Sequence, residues 1–216
     1  MAELLVIRHA QASFGSDDYD RLSALGHRQA ERVGTYLREI GWTPDRLVTG
    51  TLARQRQTLA SMGFDAEPET HPGLDEYDFH DLLNTRFAGV VPDPVRHDRK
   101  THFRTLRETI LDWQAGGVTG AAETWAAFAE RVAAARTFAT RTKARRVLVI
   151  SSGGPIGQLV TSALDAPPAQ MIALNLQVKN TSLTRFFFSV QAFLLHEFNA
   201  TPHFASPAAA DMVTFS

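Results

Sequence analysis

No cysteine occurs among the 216 residues. That excludes a disulfide, an iron–sulfur site and a thiol nucleophile. A strong charge of either sign is lacking too, since 22 basic and 23 acidic side chains leave a formal net charge of −1. Such a balance gives no broad basic footprint, so nucleic acid is not an expected partner, while a local basic pocket stays compatible with it. Long apolar runs are missing as well. Leu4-Leu5-Val6-Ile7 gives way at once to Arg8-His9, too soon for a membrane span or the hydrophobic stretch of a secretion signal. No membrane partner is expected, and the expected location is the cytoplasm. Internal repeats and low-complexity tracts do not occur. What is there is globular composition, 44% hydrophobic and 21% charged, in a length that suits one large domain.

Leu4–Ile7 and Val147–Ile150 are continuous branched-apolar runs. They read as strands buried on both faces, side by side at the centre of a sheet. Ser23 is placed to cap a helix on which Gly26, Ala30, Val33, Leu37 and Ile40 form one stripe, ended by Gly41. Leu47-Val48 makes a brief strand, and Leu52–Met62 a second helix. A helix with Trp125, Phe128, Val132 and Ala135 on one face precedes the second apolar strand, and another follows it to Leu164. Leu183–Phe188 and Phe193–Phe198 read as a closing hairpin. The order predicts a three-layer α/β/α fold around a central mixed, mostly parallel sheet.

Between about residues 67 and 120 the periodicity fades among prolines, glycines and four histidines, with one helix expected over Thr101–Trp113. This stretch reads as a lid insertion within a single domain of residues 1–205, too short and too polar to own a core. Residues 206–216 read as a frayed tail. The phenylalanine-rich closing strand points to a homodimer, because an uncovered apolar edge is a liability that pairing removes.

Arg8-His9 follows the first strand, at the carboxyl end, where open α/β sheets bind ligands. A neutral imidazole can attack phosphorus, and a guanidinium beside it offers paired donors to phosphate oxygens. Alone, the dipeptide fits equally a surface arginine and a histidine bonded to backbone. Arg54 and Arg56 open the second helix, near free N–H groups that favour an anion; two apart, they cannot share a face, so one serves the pocket and the other does not. His71, Asp75, Glu76, Asp78, His80 and Asp81 are residue types found at metal sites, but no spacing fixes three ligands on one element, and a polar lid is expected instead. No metal and no cofactor are expected.

Several segments, taken in order, resemble the histidine phosphatase superfamily, the phosphoglycerate mutase-like fold. Arg8-His9-Ala10 resembles its Arg-His-Gly motif. Leu22–Gly26 with Gln29-Ala30, Leu52–Thr58, Leu74-Asp75-Glu76, Asn180–Thr184 and Phe198–His203 resemble later segments, over about Leu4 to Phe204. The resemblance implies that His9 takes up a phosphoryl group, that Arg8 and Arg54 hold its oxygens, and that Glu76 protonates the leaving group. It implies a phosphomonoester hydrolase acting on a small phosphorylated molecule through a phosphohistidine, with inorganic phosphate as the other ligand. His80 and Arg86, in the lid, are expected substrate contacts.

Two positions depart from the family pattern. Ala10 replaces a glycine, which is harmless if its φ is negative. Ser152 stands where the family has a second histidine. A serine supplies one hydrogen bond and no charge, a loss of about 2–3 kcal/mol, or roughly 10²–10³ in rate. Slow hydrolysis is therefore expected, with backbone N–H groups of Gly153 and Gly154 as a compensating anion nest. The alternatives are a silent phospholigand-binding pseudoenzyme, which needs the arginines more than the nucleophile, and a phosphoglycerate mutase-like phosphotransferase.

Overall fold

A computed structural model of the chain describes residues 1–13 and 20–215. In chain order the elements are β1 (Ala2–Arg8), α1 (Ala24–Glu39), β2 (Arg46–Thr49), α2 (Ala53–Ser61), β3 (Glu69–Thr70), α3 (Phe79–Arg86), α4 (Asp93–His97), α5 (Arg99–Gln114), α6 (Trp125–Thr140), β4 (Arg146–Ser151), α7 (Gly153–Ala163), α8 (Gln170–Asn175), β5 (Leu183–Phe188) and β6 (Phe193–Ala200). The strands form one sheet in the order β3-β2-β4-β1-β5-β6. The first four run parallel, and β5 and β6 are antiparallel to their neighbours.

The pleat explains why the two central strands are apolar throughout. Leu4, Val6, Val147 and Val149 enter one core with Phe128 and Val132 of α6 and Ile156 and Leu159 of α7. Leu5, Ile7, Leu148 and Ile150 enter a second core, on the opposite face, with Ala30, Val33 and Leu37 of α1 and Leu59 of α2. Successive side chains point to opposite faces, so a strand covered on both has no polar position to spare. Each fully buried Val, Leu or Ile contributes roughly 1.5–3 kcal/mol. β1 and β4 pair in parallel with Leu4 opposite Val147 and Arg8 opposite Ser151, as adjacent central strands. Ser23 caps α1 by accepting from the Gly26 N–H at 3.0 Å.

Three features differ from expectation. The excursion holds α3 and α4 besides α5, and it has a small apolar cluster of its own, Leu83, Val91 and Val95. It also sends Leu82, Leu106, Ile110 and Trp113 into the main core, so it is anchored despite its polar composition. The segment after Ser206 is not loose. A 3-10 turn over Pro207–Met212 leads to Thr214, whose carbonyl accepts from the Asn180 N–H at 2.9 Å, and Gln29 Nε2 donates to the Met212 carbonyl at 2.7 Å. Polar partners far away in sequence hold it, which local composition does not reveal. Finally, the phenylalanine run lies in β5, inside the sheet, with Phe186 and Phe188 buried and β6 forming the edge. That run is therefore covered by β6, and the edge of the sheet belongs to β6 instead. Among the described residues no helix is long and apolar enough to cross a membrane.

Candidate active site

The carboxyl ends of β1 and β4 bring Arg8, His9 and Ser152 together. The His9 N–H donates to the Ser151 carbonyl at 2.9 Å, and Asn180 Nδ2 donates to the His9 carbonyl at 3.1 Å. Ring orientation is set by the next residue: Nδ1 lies 2.8 Å from the Ala10 carbonyl. A carbonyl only accepts, so the proton sits on Nδ1 and Nε2 keeps its lone pair. Arg54 Nε donates to that Nε2 at 3.2 Å. Burial first, then the charges of Arg54 and Arg8, holds the His9 pKa well below the usual histidine value. The ring is therefore neutral at pH 7. Ala10 is not among the residues with positive φ, so the methyl in place of glycine causes no backbone strain.

Arg54 reaches the ring because α2 presents Arg54, Gln55, Thr58 and Leu59 as its buried face, while Arg56 is exposed. Its Nη1 donates to Asp20 Oδ1 at 2.8 Å, and the Ala53 N–H donates to the other oxygen of the same carboxylate at 2.8 Å. Asp20 thus covers the N-terminus of α2 and steers the guanidinium. Arg8 Nη1 donates to the carbonyls of Val178 and Phe215, the latter at 2.8 Å.

Glu76 rests on the N-terminus of α7. Both its oxygens accept from the Gly154 N–H at 3.1 Å, and Oε1 also accepts from the Tyr77 N–H at 3.3 Å. Only glycine allows this approach: a Cβ on Gly154 would lie 2.2 Å from Oε1. Burial raises the Glu76 pKa from its ordinary value, against the Gly154 hydrogen bond, the charges of Arg54 and Arg8, and the Tyr77 N–H. Tyr77 anchors the segment. Its ring packs 5.7 Å from both Trp113 and Phe128, and its hydroxyl accepts from Asn175 Nδ2 at 2.9 Å.

Ser152 and Gly153 are buried at the start of α7. Ser152 Oγ accepts from Gln55 Nε2 at 2.9 Å. The anion nest expected of Gly153 and Gly154 is half used, since the Gly154 N–H already serves Glu76. His80 is exposed near the start of α3 with its ring beside Phe79, and Arg86 donates to Thr109 of α5 at 2.9 Å. The acidic and histidine residues before α3 are occupied individually: His71 Nδ1 accepts from the Gly73 N–H, Asp75 accepts from Thr51, Asp78 caps α3 and Asp81 accepts from the Ala122 N–H. Among the described residues no group of three His, Asp or Glu side chains is arranged to hold a metal ion.

The sequence model described as "Histidine phosphatase superfamily (branch 1)" matches residues 4–201. The chain belongs to the histidine phosphatase superfamily. Solved structures similar to this family member include a phosphoserine phosphatase mutant from Entamoeba histolytica in complex with phosphoserine, 18% identical, covering 94% of this chain and 99% of that one with a TM-score of 0.68. The alpha-ribazole phosphatase of Shigella flexneri is 19% identical, covering 92% and 96% with a TM-score of 0.63. YhfR of Bacillus stearothermophilus is 17% identical, covering 94% and 99% with a TM-score of 0.70. A curated, uncharacterized chloroplastic protein of Arabidopsis thaliana is 36% identical over 63 residues, 27% of this chain and 29% of that protein, so the match spans less than a third of the relative.

Two polar residues of the candidate site of this histidine phosphatase superfamily member escape sequence reasoning. Asp20 caps a helix 33 residues away, and nothing local marks it. Gln55 does leave a trace: Arg54, Gln55, Thr58 and Leu59 lie at spacings of one buried face, so a polar stripe there signals a site rather than a solvated side.

Proposed function

We propose that this protein hydrolyses phosphate monoesters of small molecules through a phosphohistidine on His9. The observation that carries the reading is the His9 ring itself, neutral, with its Nε2 lone pair beside the Arg54 guanidinium. In the first half-reaction Nε2 forms a bond to phosphorus as the bond from phosphorus to the ester oxygen breaks, and that oxygen takes the Glu76 proton. In the second, water attacks phosphorus, the electron pair of the P–Nε2 bond returns to nitrogen, and the Glu76 carboxylate takes the proton of the water. Arg8 and Arg54 offset the charge spread over the phosphoryl oxygens. The segment from residue 67 to 120 acts as a lid, with His80 and Arg86 as contacts for the rest of the substrate. Turnover is slow because Ser152 brings no charge to the site.

The test is chemical trapping. Protein mixed with an activated aryl phosphate and quenched should carry an acid-labile phosphoryl group, and His9→Ala should remove both label and turnover. A second reading, a phospholigand-binding module without chemistry, is favoured by Ser152. It replaces the first if no label forms while phosphate binds tightly and that binding is lost in Arg8→Ala.

A further inference from the structure

Gln55 is fully buried next to Arg54, and its amide joins three parts of the site. One Nε2 hydrogen goes to the Leu74 carbonyl at 2.8 Å, two residues before Glu76, and the other to Ser152 Oγ at 2.9 Å. The amide cannot be turned round, because the Leu74 carbonyl accepts only and must face the nitrogen. The oxygen points instead at Gly50, where a Cβ would lie 1.9 Å from it, and it has no hydrogen-bond partner. Burying an acceptor unmatched is unfavourable, so the donor end is the end this arrangement serves. A hydroxyl that accepts from a donor fixed in this way must send its own hydrogen elsewhere. Arg8 lies opposite Ser151 in the sheet, which puts Ser152 one residue beyond, across from His9 and in the alternation of Ile150 and Ile7.

We infer that Gln55 is a positioning residue of this site: with both amide hydrogens used, it makes Ser152 an obligate donor whose O–H serves a phosphoryl group at His9. The inference rests on the phosphate site proposed above and gives Ser152 an oriented neutral hydrogen bond in place of the family's second histidine.

The experiment is a double-mutant cycle of Gln55→Met and Ser152→Ala, read as the dissociation constant for inorganic phosphate and as turnover of an aryl phosphate. Each single variant should weaken phosphate binding and lower kcat by roughly 10-fold, the size of one hydrogen bond to a charged acceptor. In the Ser152→Ala background Gln55→Met should change either quantity by less than about 2-fold. Equal losses in both backgrounds would show that Gln55 acts elsewhere, and full phosphate affinity in Ser152→Ala alone would overturn the inference even if Gln55→Met failed to fold. If wild-type protein binds phosphate and never turns over, the hydrolase reading fails while the binding cycle still decides the role of Gln55.

Discussion

Burial moves His9 and Glu76 in opposite directions, because it disfavours the charged form of each: imidazolium for one, carboxylate for the other. Two arginines add to the first effect and oppose the second without overcoming it. The proposed chemistry needs a neutral His9 and a protonated Glu76, so both shifts widen the pH range in which the two forms coexist. We expect kcat on an alkyl phosphate to rise with pH through the lowered His9 pKa and to fall through the raised Glu76 pKa, giving a bell-shaped profile. Glu76→Gln should lower that rate by about 10²–10⁴-fold and spare an aryl phosphate, whose leaving oxygen needs little protonation. A pH–rate profile with no alkaline fall in wild-type protein would remove Glu76 from the acid role. At this scale Arg8 and His9 are marked by the apolar run before them and Arg54 or Arg56 by a helix start, while the choice of Arg54, and Glu76 altogether, rest on the family resemblance. Gln55 and Asp20 were not legible, because their partners lie in other elements and only tertiary packing brings them together.

Among the elements, those with strong periodicity were legible. β1 and β4 stand out as four-residue apolar runs, and α1 as a capped stripe. α3 and α4 escaped because eight and five residues, the shorter with a proline in its first turn, leave too little periodicity to read. They matter to the site through what they frame: the segment carrying Glu76 runs into α3, and Tyr77 locks it onto the aromatic group of Trp113, Trp125 and Phe128. Phe128 of α6 is wholly buried at the centre of that group. Phe128→Ala should cost about 3–5 kcal/mol in urea unfolding and, by loosening Tyr77, lower alkyl-phosphate turnover in protein that is still folded. Unchanged stability would mean that the site can collapse around the loss, and unchanged turnover that Tyr77 keeps Glu76 in place without it.

For the whole molecule, two buried histidines make stability depend on acid. His203 packs on Phe204 and meets Thr181 Oγ1 at 3.0 Å; burial, with a contribution from Arg32, lowers its pKa to about 3. His9 is lowered as well. Below about pH 6.5 the unfolded chain takes up protons that the native protein refuses at these two positions, so the unfolded state binds more protons and native stability falls as pH falls. Each histidine adds a slope of about 1.4 kcal/mol per pH unit until its folded-state pKa is reached. Glu76 opposes this above its unfolded value, where the native form is the one that holds the extra proton. Urea unfolding at pH 7 and pH 5 should show the net loss, and His203→Asn should flatten it; equal slopes in both proteins would show that His203 is protonated without unfolding.

The partners of Arg8 carry a last consequence, for the order in which the protein is made. Its guanidinium is held by the carbonyls of Val178 and Phe215, the second 207 residues downstream, and the His9 carbonyl by Asn180. At about 5–20 residues per second, a ribosome delivers His9 roughly 10–40 seconds before the chain that fixes the neighbouring arginine. A nascent chain can hold the first strand and the first two helices and still lack the contacts that fix Arg8 beside His9. Under the chemistry proposed above, phosphoryl transfer at His9 therefore waits until residue 215 has been made and folded onto Arg8.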